Sequence, residues 1–123
     1  IVPIQCEYYA LKALGRFLKM TRALKNEKNP DLRYRGFLLT MVDTRNNLAK
    51  RVINKVRYTL QGLVFETMIP RNIRLAEVPY YGKPAILIDK GSKGAQSYLD
   101  LAKEIIAMDE RQQENEDATI AAA

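Results

Sequence analysis

The fold of this chain is decided by residues 33–52, RYRGFLLTMVDTRNNLAKRV, where an apolar run breaks at an aspartate and restarts as a basic helix. The stretch from Arg33 to Val42 carries a continuous apolar core, which is typical of a strand buried on both faces of a parallel sheet. Apolar residues then recur at helical spacing, which predicts a helix from Asn46 to Leu60. Its sheet-facing side is predicted to comprise Leu48, Ala49, Val52, Ile53, Val56, Thr59 and Leu60. Together, the apolar stretch and the helical spacing predict a strand whose carboxyl end leads into a helix.

The flanking segments repeat the alternation. The order is a strand at IVPIQ, a helix over Tyr8–Leu24, the central strand and helix, a strand at LVFETMI (63–69), a loop, and a helix over Lys93–Met108. Such alternation predicts an α/β fold with a mostly parallel sheet, in which ligands bind where strands end. The segments to watch are therefore QCEYY, DTRNN and PRNIRLAEVPYYGKP.

The chain length of 123 residues suits one globular body with a single core. We therefore expect one domain over residues 1–108. The start inside a strand suggests a fragment, and the acidic, then Ala-rich tail over 109–123 is expected to be a fraying helix end followed by disorder.

Charge points to a polyanionic partner. Residues 1–108 hold 19 basic and 9 acidic residues, a net charge of +10. One arc of the predicted helix 46–60 contains no carboxylate, and it comprises Asn47, Lys50, Arg51, Asn54, Lys55, Arg57 and Tyr58. This arc is either a solvated face or an anion-binding surface.

The start of that helix carries a second signal. Asp43 and Thr44 stand where an N-cap is expected. Arg45 follows them although a cation at a helix N-terminus opposes the macrodipole, so an external anion at this strand end is the expected partner.

Several chemistries are excluded. The chain has no His, so Ser-His and Cys-His catalysis and His-bearing zinc sites are ruled out. The single Cys6 is predicted to be a small buried residue rather than a nucleophile. Neither a P-loop nor a G-x-G-x-x-G motif occurs. The absence of a signal peptide and of a membrane span indicates a cytoplasmic protein.

Four blocks, PIQCEYYAL, TMVDTRNNLAKRV, VFETMIPRNIRLAEVPYYGKPAI and KGAQSYLDLAKEI, resemble in order the C-terminal half of ParA-type (Soj-like) partition ATPases. The resemblance implies half of a P-loop NTPase-like three-layer α/β/α fold. It also implies an intact protein that binds ATP with Mg, dimerises in that state, binds DNA without sequence preference at the nucleoid, and segregates chromosomes or plasmids with a ParB-type partner.

The P-loop lysine and Walker B aspartate of that family are missing here. This chain alone is therefore expected to be inactive, with no catalytic residue, no metal ligand and no tightly bound cofactor.

The resemblance also assigns sites, residue by residue. The nucleotide-side positions that it implies are Met41, Asp43, Pro70, Arg71, Asn72 and Glu7. The DNA-side positions that it implies are Arg45 and Arg74, and the carboxylate-free arc adds Lys50, Arg51, Lys55 and Arg57.

Two alternatives stay open. One is a free-standing basic α/β module that binds nucleic acid or a partner without ATP chemistry. The other is a MinD-like positioning ATPase at a membrane, which the acidic tail disfavours because such proteins attach through a basic amphipathic C-terminal helix.

Overall fold

The structure, a computed structural model, describes residues 1–122 and mixes helices with a small parallel sheet. The elements are β1 (Val2–Gln5), α1 (Tyr8–Glu27), β2 (Phe37–Thr40), α2 (Asn47–Thr59), α3 (Ile73–Tyr81), α4 (Ala85–Ile88) and α5 (Lys93–Ala122). The predicted α/β class is confirmed, whereas the three-layer sandwich stays a prediction.

Two strands form the regular part of the sheet. β1 and β2 pair in parallel from Val2 opposite Phe37 to Gln5 opposite Thr40. β2 is shorter than the predicted strand over 33–42, because residues 33–36 precede it without strand conformation, although Gly36 O accepts Val2 N–H at 2.9 Å, and the strand ends at Thr40. Phe37, Leu38 and Leu39 are all buried, as expected for a strand that is covered on both faces.

The second neighbour of β2 is the outer segment, which we define as residues 63–71. The prediction of a strand over 63–69 is wrong, because only two isolated parallel bridges form, Phe37 with Val64 and Val42 with Pro70. Phe65 N–H donates to Phe37 O, and the next bond runs from Ile69 N–H to Leu39 O. A regular parallel ladder advances two residues on each side, so the outer segment bulges by two extra residues.

α1 and α2 supply the helical cover of this sheet, and they also contact each other. The α2 residues Ala49, Val52 and Val56 are buried with Leu14 of α1 in one core cluster that includes Phe37. The predicted buried face of α2 is confirmed in these residues and wrong for Leu48 and Thr59, which are exposed.

The chain divides into two compact units, of which the first is Ile1–Asn72 and the second begins at Ile73. This corrects the expectation of a single body. The second unit is helical where a loop was predicted. Its close packing has a local cause, since a methyl group on Gly94 of α5 would lie 2.4 Å from Cγ of Leu75 on α3. Gly94 lets the two helices approach each other closely.

Helix α3 ends by proline and glycine chemistry. Pro79 lies in its last turn and lacks a backbone donor. Gly82 then adopts φ 58°, the left-handed conformation that commonly follows a helix.

Helix α5 begins at the predicted Lys93, and Ser92 Oγ accepts the N–H of Ala95 at 3.2 Å, as a cap does. It continues to Ala122, where the sequence predicts fraying and disorder from Asp109. Residues 109–122 are therefore described as helix, with every side chain exposed.

Candidate functional site

The three parallel passes of the first unit end at one edge of the sheet. Cys6 N–H donates to Thr40 O (3.2 Å), Val42 N–H to Ile69 O (3.1 Å) and Arg71 N–H to Val42 O (3.0 Å). These bonds tie together the segments that follow β1, β2 and the outer segment. In open α/β sheets this carboxyl edge is where ligands bind.

An ion pair crosses this edge. Arg71 Nη2 lies 3.4 Å from Glu7 Oε1, so the residue that follows β1 is linked to the end of the outer segment. Both side chains are exposed, and an exposed pair contributes little to stability. The pair therefore leaves both charged groups available to a ligand.

Asp43 and Arg45 form a local pair at the end of β2. Arg45 Nε and Nη2 donate to the two carboxylate oxygens of Asp43 at 3.0 and 2.9 Å, and its backbone N–H donates to Oδ1 at 3.1 Å. These hydrogen bonds, the side-chain ones first, lower the pKa of Asp43 to about 2. Asp43 is therefore a carboxylate at any physiological pH.

Two predictions about this turn are wrong. The N-cap of α2 is Asn46, whose side-chain oxygen accepts Leu48 N–H at 2.8 Å, rather than Asp43 or Thr44. Arg45 also has a partner in Asp43, so its position near the helix start does not require an external anion.

Met41 has an unusual backbone conformation beside this turn. Its φ is 54°, a left-handed value that costs an ordinary L-residue about 1 kcal/mol or more. The hydrogen bonds from Ile69 N–H to Leu39 O and from Arg71 N–H to Val42 O are two residues apart on the outer segment. They are three residues apart on the chain that continues from β2, which is one more than in a regular parallel ladder. Met41 is that extra residue, and its side chain is 42% exposed at the carboxyl edge.

The basic arc of α2 separates into two kinds of cation. Lys50, Arg51 and Lys55 are exposed and form no ion pair within residues 1–122, although Lys55 lies 5.9 Å from the centre of the Tyr58 ring. Arg57 instead contacts the outer segment, with Nη1 at 3.0 Å from Glu66 Oε2. The helical pattern of α2 could not predict this carboxylate, because Glu66 belongs to the outer segment and not to the helix.

No family model matches the chain. The chain is 50% identical over 107 residues to the sporulation initiation inhibitor protein Soj of Bacillus subtilis and 47% identical over 109 residues to the chromosome partitioning protein ParA of Myxococcus xanthus. It is 41% identical over 108 residues to the chromosome-partitioning ATPase Soj of Treponema pallidum. This chain is a homologue of ParA/Soj-type proteins.

The matches cover 87%, 89% and 88% of this chain but only 42%, 38% and 43% of those three ParA/Soj-type proteins. The chain therefore spans about two fifths of the length of the curated relatives that it matches.

The predicted nucleotide-side residues of this ParA/Soj-type chain all lie in the first unit. Glu7, Met41 and Asp43 follow β1 and β2, while Pro70 and Arg71 end the outer segment and Asn72 follows it. The structure thus brings all six to the same edge of the sheet, and their binding of nucleotide stays a prediction.

The predicted DNA-side residues are divided between the two units. Arg74 lies in the first turn of α3 in the second unit, where it pairs with Glu77 at 3.2 Å and with Asp89 at 3.6 Å. The remaining five lie in the first unit. Their contact with DNA also stays a prediction.

A second row of exposed cations lies on α1 at Arg16, Lys19 and Arg22, where the helical spacing of the sequence already places basic residues between the apolar positions. The sequence does not reveal the contact of Arg57 with the outer segment, because no local signal exists for it.

Cys6 behaves as predicted. It is buried and unpaired with another cysteine, and burial raises the pKa of its thiol to about 11. A thiol with so high a pKa is a poor nucleophile.

Within residues 1–122, no helix combines the length and apolarity that a bilayer crossing requires.

Proposed function

We propose that this chain supplies the base and ribose side of the nucleotide site, and a DNA-facing surface, of a ParA-type partition ATPase. The observation that carries the proposal is the convergence of Glu7, Asp43 and Arg71 at one carboxyl edge of a parallel sheet. The names of the ParA and Soj relatives support the partition role.

The chemistry of this edge fits one part of ATP. Met41 and Pro70 offer apolar surface to a base, and the carboxylates of Glu7 and Asp43 can accept hydrogen bonds from ribose hydroxyls. Those same carboxylates repel phosphates, and the chain has no glycine-rich lysine loop. The edge therefore fits the nucleoside part of ATP, while the phosphates and Mg need other residues.

ATP, when bound, supplies the phosphoryl group that a partition ATPase transfers to water. The residues of this chain would orient the nucleoside and leave the hydrolytic chemistry to the rest of the protein. Asn72 adds an amide that can donate to and accept from a base.

DNA contact is assigned to Lys50, Arg51 and Lys55, whose exposed charges need no sequence-specific partner. Arg45 in the first unit and Arg74 in the second would each contact a phosphate by exchanging a carboxylate partner for it. The proposal includes a homodimer in the ATP state, a ParB-type partner, a cytoplasmic, nucleoid-associated location and a three-layer α/β/α fold in the intact protein.

A chimera tests this function. The 107-residue region of the Bacillus subtilis relative that matches this chain would be replaced by the corresponding residues of this chain. We expect the chimera to hydrolyse ATP slowly, the Arg71→Ala variant to weaken ATP binding, and the matched Arg16→Ala variant to leave it unchanged. The 123-residue chain alone should show no turnover.

A folded chimera that binds DNA but not ATP would refute the nucleotide role and support the free-standing basic module. Binding to anionic vesicles in preference to DNA would support the MinD-like alternative instead.

A further inference from the structure

The pairing of the outer segment with β2 is interrupted between Phe65 and Ile69. Phe65 and Ile69 are both almost completely buried, and both donate backbone hydrogen bonds to β2. Between them the segment advances four residues while β2 advances two, from Phe37 to Leu39. The two extra residues form a bulge, at which the regular ladder with β2 is interrupted.

One end of the bulge is anchored by packing. A methyl group on Gly36 would lie 2.6 Å from Cε2 of Phe65, so the aromatic ring rests directly on the backbone that leads into β2. This contact fixes Phe65 at the start of the bulge.

Arg57 reaches the carbonyls of Phe65 and Glu66 from the last turn of α2. Nη2 donates to Phe65 O at 3.4 Å and to Glu66 O at 3.2 Å, and Nη1 donates to Glu66 Oε2 at 3.0 Å. The Arg57 side chain is only 31% exposed, whereas that of Glu66 is 84% exposed. Because an exposed ion pair contributes little, the carbonyl contacts carry most of the effect.

A guanidinium suits this task better than an ammonium. Its planar fork presents several donors in fixed directions, so one side chain can hold two carbonyls and a carboxylate together. A cation in the last turn of a helix normally complements that helix's own carbonyls. Arg57 instead donates its hydrogen bonds to residues of the outer segment.

We propose that Arg57 is a positioning residue that closes this bulge and sets the register in which Ile69 to Asn72 leave the sheet. By closing the bulge, Arg57 stabilises the two hydrogen bonds that follow it, from Ile69 N–H to Leu39 O and from Arg71 N–H to Val42 O. Through them Arg57 places Pro70 and Arg71 at the carboxyl edge, so its influence on nucleotide rests on the proposed function.

Amide hydrogen exchange of the 123-residue chain tests the clamp without any nucleotide. We expect Arg57→Ala to speed exchange at Ile69 and Arg71 on the order of 10- to 100-fold, the range for losing hydrogen bonds to a charged group. The core amide of Val52 should be unaffected. Arg57→Lys should give an intermediate effect, and the matched Arg16→Ala variant should give none.

Equal exchange at Ile69 and Arg71 in Arg57→Ala and Arg16→Ala would overturn the proposal. Uniform acceleration that includes Val52 would overturn it as well, because that result describes loss of global stability rather than of register. If Arg57→Ala unfolds the chain, the same local comparison on Arg57→Lys decides the question.

The chimera provides the second measurement. Arg57→Ala should raise the KM for ATP about 10-fold or more while changing kcat little, as expected when a binding edge is displaced. Faster exchange with an unchanged KM would keep the clamp and refute its link to the nucleotide site. An unchanged exchange rate would refute the clamp even if the chimera hydrolyses ATP.

Discussion

The exposed arc of α2 allows a quantitative prediction about polyanion binding. Lys50, Arg51 and Lys55 are exposed and form no ion pair within residues 1–122. Each phosphate contact contributes about 0.9 to the slope of log affinity against log salt concentration. Replacing all three residues by Ala should therefore lower the slope by about 2.7. Between 50 and 200 mM salt, the affinity of the variant should then fall about 40-fold less than that of the parent chain.

The assay is equilibrium binding of the chain to two unrelated DNA duplexes of equal length over that salt range. Both duplexes should give the same slope, because phosphate contacts carry no sequence information. The matched control is the triple Ala variant of Arg16, Lys19 and Arg22, which removes the same charge from α1.

The two triple variants separate a binding face from net charge. If α2 binds the phosphates, only the α2 variant loses slope, and the single variant Arg57→Ala leaves the slope unchanged because that side chain is held by the outer segment. Equal losses from α1 and α2 would refute the reasoning, since they would show that overall charge rather than the α2 face sets the affinity.

Three further predictions concern single sites. Gly94→Ala should destabilise the second unit by about 1–2 kcal/mol, because overpacking against Leu75 exceeds the helix-propensity gain of about 1 kcal/mol; stabilisation in chemical denaturation would contradict this. The pKa of Asp43, measured by carboxyl NMR, should lie near 2 and return toward 3.8 in Arg45→Ala. Because that pKa is depressed on folding, the stabilising effect is complete above about pH 4 and is lost as the pH falls toward 2, so a normal pKa in the parent chain would disprove the pair. The thiol of Cys6, with its pKa near 11, should resist alkylation at pH 8 until the chain unfolds, and rapid labelling of the folded chain would disagree with the buried position.

Local pattern determined much of the first unit. The apolar spacing of α2 predicts that Ala49, Val52 and Val56 are buried, and the structure agrees because helical periodicity records which face meets the sheet. The parallel α/β class follows equally from the alternation of strands and helices. The convergence of Asp43 and Arg71 at one edge could be predicted too, because parallel strands end on the same side of a sheet.

Other features depend on partners that are distant in sequence. The run at 63–69 has the composition of a strand, yet it bulges because its ends are bound to β2 in different registers. The fit of Gly94 against Leu75 likewise joins helices whose spacing no local pattern specifies, and it accompanies helical structure where a loop was expected.

The charged residues of α2 also show which properties the sequence determined and which depended on tertiary structure. The sequence determined that the α2 arc would be basic, because periodicity assigns side chains to a face. Only the tertiary structure decided which of those charges are available, since Arg57 is held by the outer segment while Lys50 remains exposed. The physical reason is that a hydrogen bond depends on the position of both groups in space, and the acceptors of Arg57 arrive from a segment whose path is set by packing against β2.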